Sequence, residues 1–231
     1  MTMINLFEGV AGGLLLWIGA PHLLKLLQIS RLRRHCRSSR IIVLTYDDGP
    51  GTVLTPALLK LLASNNVHAN FFMIGKKVEF SPLQVSDVMG NGHAIGSHSF
   101  MHLHAWKCNP VKAIRDIRAG FQVGKHNSFS NWFRPPFGKI TLATLIYIWI
   151  SRHKLAWWTI DSTDTWSKPL SVEAIIDRVR KEDGGVILMH DNDRSDINRH
   201  EYVIKLTQRL IEFARDEGYV IRTLQDLTFQ S

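Results

Sequence analysis

Asp47 and Asp48 stand side by side in Thr45-Tyr46-Asp47-Asp48-Gly49-Pro50, directly after the apolar run Arg40-Ile41-Ile42-Val43-Leu44. The run reads as a buried strand, which puts two carboxylates at its C-terminal end, ahead of a Gly-Pro turn. Adjacent carboxylates repel each other and resist burial, so a positive partner has to hold them. A divalent metal on one, with the other left as a base, satisfies both. Further on, His98-Ser99-Phe100-Met101-His102 spaces two imidazoles four residues apart. A helical turn there would present both from one face to a single ion. With Asp48 they form a His-His-carboxylate set that leaves positions for water and substrate, as a catalytic zinc requires.

Three more segments carry polar groups suited to the same chemistry. Arg134-Pro135-Pro136-Phe137-Gly138 is stiffened by two prolines. It could aim a backbone N–H at a developing oxyanion while Arg134 anchors a carboxylate through paired bonds. Leu188-Met189-His190 ends an apolar strand in a histidine that a neighbouring carboxylate would keep protonated as a general acid. Asp164, in Asp161-Ser162-Thr163-Asp164-Thr165-Trp166, is the natural partner, with Asp161 as a turn-forming or capping residue. His104 reads as a rim histidine or a spare ligand, and His93, near a strand start, as a buried hydrogen-bonded side chain.

The elements that must position these residues alternate along the chain. Candidate strands are Ile41–Tyr46, His68–Ile74, His93–His98, Trp132–Arg134, Ala156–Ile160, Val186–His190 and Tyr219–Thr223. Helical patterns fall at Thr55–Ala63, Pro82–Met89, Pro110–His126, Thr141–Arg152, Val172–Lys181 and His200–Glu217. In Pro110–His126 the apolar face carries Ile114, Ile117 and Phe121, with Arg115, Asp116 and Arg118 expected outside. Seven strands joined by six helices predict a parallel sheet, either a βα barrel or a doubly wound layer. Five of the polar motifs fall at strand ends, on the rim where βα barrels build their active sites.

At 231 residues and 45% hydrophobic content, the chain suffices for one α/β domain with a full core. Cys36 and Cys108 form neither a disulfide framework nor a zinc-knuckle spacing. The net charge of +8 is concentrated at one end: residues 1–40 hold Lys25, Arg31, Arg33, Arg34, Arg37 and Arg40 against Glu8 alone. A nucleic-acid surface would spread its basic residues over the folded face, so that class is excluded.

Val10 to Leu27 is apolar apart from Pro21, His22 and Lys25, and Arg31-Leu32-Arg33-Arg34-His35 follows. Met1 to Phe7 has no basic residue, unlike a secretory signal. Basic residues on the C-terminal side place the following domain in the cytoplasm, at an inner membrane. The expectation is a membrane-associating segment over residues 1–40 and a catalytic domain over 41–231. A spanning helix, a half-inserted helix with a polybasic collar, and a soluble helix packed on the domain are all open.

In this order, the motifs resemble those of the polysaccharide deacetylases of the NodB-homology group, carbohydrate esterase family four, over roughly residues 41–223. Thr45–Pro50 matches the family's Thr-Phe/Tyr-Asp-Asp-Gly-Pro and His98–His102 its His-Ser/Thr-x-x-His. Arg134–Gly138 matches Arg-Pro-Pro-Tyr/Phe-Gly, and Leu188–His190 matches Leu-x-His. The resemblance implies a distorted (β/α) barrel of about seven strands. It makes Asp47 the base, Asp48, His98 and His102 the metal ligands, and His190 the acid. It also has Arg134 orienting Asp47 and Asp164 tuning His190. The Phe137 N–H would help hold the oxyanion, with Pro136 and Trp166 on the substrate side, and the metal would be most commonly Zn2+. One departure is that Thr165 separates Asp164 from Trp166, where the family reads Asp-x-x-Asp-Trp.

The expected reaction is N-deacetylation of an amino sugar. Behind a basic membrane collar on the cytoplasmic side, a lipid-linked sugar used in surface-glycan synthesis is within reach. Peptidoglycan or a chitin-like polymer is the alternative, and a catalytically inactive sugar-binding scaffold is the rival from another class. A paired-carboxylate glycosidase is disfavoured, because its acids flank one bond roughly 5–10 Å apart and Asp47 and Asp48 are neighbours.

Overall fold

The computed structural model describes residues 15–126, 129–193 and 196–227. After a π-helical turn at Leu15–Gly19 come α1 (Ala20–Ser38), β1 (Ile41–Asp47), α2 (Leu54–Ser64) and β2 (Asn70–Met73). Then follow α3 (Gly75–Phe80), α4 (Pro82–Gly90), β3 (Ala94–Ser97), α5 (Pro110–His126), β4 (Trp132–Phe133) and α6 (Leu142–Ile150). The chain continues through β5 (Lys154–Leu155), β6 (Ile160–Asp161), α7 (Val172–Glu182), β7 (Gly185–His190), α8 (Ile197–Glu217) and β8 (Val220–Ile221).

All strand pairs are parallel, in the order β5-β4-β3-β2-β1-β7-β6, and β8 pairs with the start of β1. The expected strand at Ala156–Ile160 is instead the crossing between two short ladders. Lys154–Leu155 pairs with β4, and Ile160–Asp161 pairs with β7. Ala156 N–H still reaches Phe133 O, and Thr159 N–H reaches Val186 O. Taken as one broken strand, 154–161 links both edges of the sheet. The result is a distorted α/β barrel of seven parallel strands. The short helix α3 lies where the sequence pattern gave no helix; at six residues it is too brief to show a period.

Strand side chains alternate between two faces. Ile42, Leu44 and Tyr46 pack outward with α2, α4, α7 and α8 in the larger core. Val43 points inward, into a second cluster with Phe72, Trp132 and Val186. By the same parity Thr45 and Asp47 face inward from β1, His190 from β7 and Arg134 from the end of β4. Register aligns them: Asp47 is the partner of both His190 and Phe72, and Phe72 of Gly96. Gly96 is required at that position, since a Cβ there would press on the Phe72 ring and Trp132 O.

Helix α1 packs on this inner cluster through Leu32 and Cys36. Further ties include Arg33 to Thr159 O, Gln28 to the Trp157 indole, Arg37 to Glu182 O and a Lys25 hydrogen bond to Gly138 O. Residues 1–14, which hold the first part of the expected apolar run, lie outside the described residues. Among the described residues no helix is long and apolar enough to cross a membrane. Cys36 and Cys108 are free thiols.

Candidate active site

The rim motifs converge. Asp47 is buried, and its Oδ1 accepts from Arg134 Nη1 at 2.8 Å. The same Nη1 donates to Thr45 Oγ1 at 2.7 Å. Arg134 is wholly buried, with its guanidinium 4.2 Å from the centroid of the Phe72 ring. Desolvation pulls the guanidinium pKa down and Asp47 opposes it. A buried, ring-stacked cation of this kind fixes the Asp47 carboxylate in one orientation and leaves its other oxygen toward the site.

Asp48 adopts a left-handed backbone (φ 69°), and its side chain reaches the same His98 ring that Asp47 faces. The distances to its Oδ1 are 3.4 Å from His98 Nε2 and 3.2 Å from His102 Nε2. The expected helical turn under the histidine pair is absent. Residues 98–102 form a loop with positive φ at Ser99 (62°) and His102 (58°), and these two residues bring both rings to one point. Asp116, expected outside on α5, is buried and holds that loop. Its carboxylate accepts from Met101 N at 2.6 Å and from Leu103 N at 3.3 Å. Two backbone donors left unpaired over a buried helix face explain why it turns inward.

The donor set fits a divalent cation. One ligand atom from each of Asp48, His98 and His102 lies within 4.8 Å of the others. His98 Nδ1 is 2.7 Å from Arg134 O. A carbonyl only accepts, so Nδ1 carries the proton and Nε2 turns its lone pair toward Asp48. Burial, aided by His98, drives His102 down to about 4, so its ring is neutral near pH 7. Burial would raise the Asp48 carboxyl, but the charged His190 nearby helps to hold it well below the usual carboxylate range. Its buried Oδ1 has no hydrogen-bond donor among the described residues. Two lone pairs and an ionised carboxylate facing one point repel unless a cation sits among them.

His190 stands on the neighbouring strand, in register with Asp47. Its Nδ1 is 2.9 Å from Asp164 Oδ1, and Asp164 also accepts from the His190 backbone N–H at 3.1 Å. Burial opposes protonation of the ring, but Asp164 overcomes it and lifts His190 to about 9. Asp164 is itself fixed by Ser162 Oγ at 2.9 Å, and Arg199 grips its carbonyl at 2.7 Å. Asp161 instead accepts from Thr163 N–H in a local turn.

Phe137 has a left-handed backbone (φ 57°) and an exposed ring, 4.6 Å from the His102 centroid. Pro136, just before it, is buried, and Trp166, two residues past Asp164, is exposed. His104 stacks on Phe137 at 5.0 Å and lies outside the Asp48–His98–His102 set. His93 is buried, with Nδ1 accepting from Ala69 N–H at 3.2 Å. Sequence reasoning missed Asp116, Lys77, whose Nζ holds Asp48 O at 2.7 Å, and Asp191. Asp191 is buried under Gly49, where a Cβ would collide with its carboxylate, and it accepts from Thr55 Oγ1 at 2.6 Å. Burial pushes it up to about 7. Its position directly after the His190 motif was the one available signal.

Comparison with known proteins gives a consistent result. The family model for polysaccharide deacetylase matches residues 34–148. A peptidoglycan-N-acetylglucosamine deacetylase of Bacillus cereus is 34% identical over 202 residues, covering 82% of this chain and 89% of the relative. A chitooligosaccharide deacetylase of Sinorhizobium fredii is 27% identical, covering 79% of this chain and 89% of that one. Among solved structures, the Bc1960 peptidoglycan N-acetylglucosamine deacetylase superposes with a TM-score of 0.75 at 25% identity. It covers 84% of this chain and 90% of that chain.

Proposed function

The chain belongs to the polysaccharide deacetylase family and is a carbohydrate deacetylase, and from that premise we propose that it removes the N-acetyl group of an amino sugar with Asp47 as base and His190 as acid. One observation carries the assignment. The donor set of Asp48, His98 and His102 shares the rim with a carboxylate clamped by Arg134 and, in register with that carboxylate on the neighbouring strand, an imidazolium charged by Asp164.

The ion held by Asp48, His98 and His102, for which Zn2+ suits a His-His-carboxylate set, would polarise the acyl oxygen and make water more acidic. Asp47 takes a proton from the attacking water as the water oxygen bonds to the acyl carbon. The Arg134 bond keeps one carboxylate oxygen occupied and presents the other. The backbone N–H of Phe137, on the rim beside His102, donates to the oxygen that gains negative charge. His190 then gives its Nε2 proton to the departing nitrogen, and the C–N bond breaks to leave acetate and a free amine. Asp164 holds His190 through Nδ1, so Nε2–H is the proton available to the substrate. Pro136 stiffens the Phe137 turn, and exposed Trp166 offers a sugar-stacking face.

For substrate and location, we propose a lipid-linked acetamido sugar at the inner membrane, with the catalytic domain in the cytoplasm. The support is the basic residues that follow the apolar run of residues 1–40. The names of the relatives favour a second reading, a peptidoglycan or chitin-like polymer. Retention of Asp47, Asp48, His98, His102, Arg134 and His190 counts against an inactive scaffold. Acetate and amine release from polyprenyl-linked and polymeric N-acetylated sugars, with chelator and with zinc restored, tests activity and substrate together. A reporter fused to the C-terminus tests location. A periplasmic readout would eliminate the cytoplasmic lipid-linked reading, and absence of release from both substrates despite bound metal would eliminate the deacetylase.

A further inference from the structure

Helix α6 carries an apolar row on its outer side. Ile146, Trp149 and Ile150, at helical spacing, are 46%, 78% and 67% exposed, while Thr144 and Ile148 are buried against the domain. A helix packed on a core ordinarily turns its polar residues outward. Helix α1 does the same in its first half: Leu16, just before it, and Leu23, Leu26 and Leu27 are about half exposed or more. The charge that interrupts this apolar run in the sequence, Lys25, points the other way. Its ammonium reaches Gly138 O and lies 5.0 Å from the Trp157 centroid.

The two helices are neighbours and run in the same direction, from the rim toward the opposite edge of the sheet. Lys25 marks the rim end of α1, and Arg37, bonded to Glu182 O, marks the far end. Helix α6 starts just after the Arg134–Gly138 turn and ends before β5. An open groove of about 1230 Å³ lies between them, with Leu24, Arg31 and Arg34 on one side and Leu145 and Trp149 on the other. Its described lining contains no Asp or Glu.

Resting on the reading of the N-terminal segment as membrane-associating, we propose that α1 and α6 together form a docking face for an anionic bilayer. In it Leu16, Leu23, Leu27, Trp149 and Ile150 enter the interface, and Arg31 and Arg34 meet the headgroups. Apolar rows flanked by arginines are the pattern of helices that lie flat in a membrane surface, and a tryptophan suits that depth. Charge decides against a second copy of the chain as occupant. A self-complementary contact would set Arg31 and Arg34 against their own counterparts, with no acidic residue in the groove to offset them. Because α1 touches Gly138 beside Phe137, the docked face leaves the catalytic rim at the membrane, where a lipid-linked sugar is presented.

The test is co-sedimentation of the full chain with phosphatidylcholine vesicles, with and without phosphatidylglycerol. Trp149→Glu and Ile150→Glu should each lower vesicle binding by about tenfold, the loss expected when a large apolar side chain no longer leaves water. Arg31→Glu with Arg34→Glu should abolish the preference for phosphatidylglycerol and its sensitivity to salt. Both α6 positions are exposed, so circular dichroism and acetate release from chitooligosaccharides should stay near wild type. Unchanged vesicle binding by the α6 variants would overturn the proposal, leaving residues 1–27 as the sole contact. So would absence of binding to either vesicle, or a dimer that Trp149→Glu converts to monomer. Vesicle binding without any acetate release would sink the proposed activity and leave the docking face standing.

Discussion

Replacing Asp164 by Asn removes one charge while keeping a side chain of the same shape beside His190. In the native site Asp164 is the leading cause that lifts His190 to about 9, against burial that pulls it down. Without that charge the imidazole should titrate at or below its ordinary value of about 6.5. A general acid works only while protonated. At pH 8 a group titrating near 9 is about 90% protonated and one near 6.5 about 3%, so kcat/KM should fall about 30-fold. At pH 6 the two forms differ by less than about twofold. The assay is acetate release from a chitooligosaccharide across pH, with the His190 ring followed by NMR. The variant's alkaline limb should move down by two units or more, on the order of the lost charge interaction. A loss of the same size at every pH, or an unmoved limb, would refute the role given to Asp164. Stability follows the same sign. A raised histidine pKa stabilises the fold fully below the unfolded value and loses that contribution as pH rises through about 9. The native protein should therefore lose part of its thermal stability between neutral and alkaline pH, and Asp164→Asn should lose less over that range.

Asp47→Asn should abolish turnover while metal content, measured by atomic absorption, stays near normal; loss of metal would mean that the two aspartates have exchanged roles. The same change leaves wholly buried Arg134 without its counter-charge, so unfolding should become easier by about 3–5 kcal/mol in denaturant titration. Asp116→Ala frees the backbone N–H groups of Met101 and Leu103. Chelator competition should then show metal affinity about 10–100-fold weaker, with little change in kcat at saturating metal. Chelation of the native enzyme should stop acetate release and lower the melting temperature, and zinc should restore both; unaffected turnover would exclude a metal role for Asp48, His98 and His102.

Much of the fold and most of the site were legible because the informative signals are local. Strand β1 announced itself as an unbroken apolar run, and α5 as a periodic segment whose bounds coincide with the structure. Where the signal was not periodic, reading failed. The sequence pattern treated Ala156–Ile160 as one strand, but that run contributes to two ladders, because Trp157 and Trp158 carry the chain from the β4 side to the β7 side. Asp116 sits on the flank of a helix, next to exposed Arg115 and two residues before exposed Arg118. Its burial depends on the unpaired amides of a loop fifteen residues away, and no helical wheel shows that.

The sequence by itself determined which groups exist and at which strand ends they stand: Asp47, Asp48, His98, His102, Arg134, Asp164 and His190 all lie in short motifs whose residue types declare their chemistry. Tertiary structure alone decided how they are aimed. Register made Asp47 the partner of His190, left-handed backbone at Asp48, Ser99 and His102 brought three groups able to hold a metal to one point, and the His98 bond to Arg134 O fixed the tautomer. It also turned Lys25 inward and left the leucines of α1 facing out. The reason is physical: a motif specifies local chemistry, whereas orientation and burial follow from contacts between residues far apart in the chain, which no local pattern encodes.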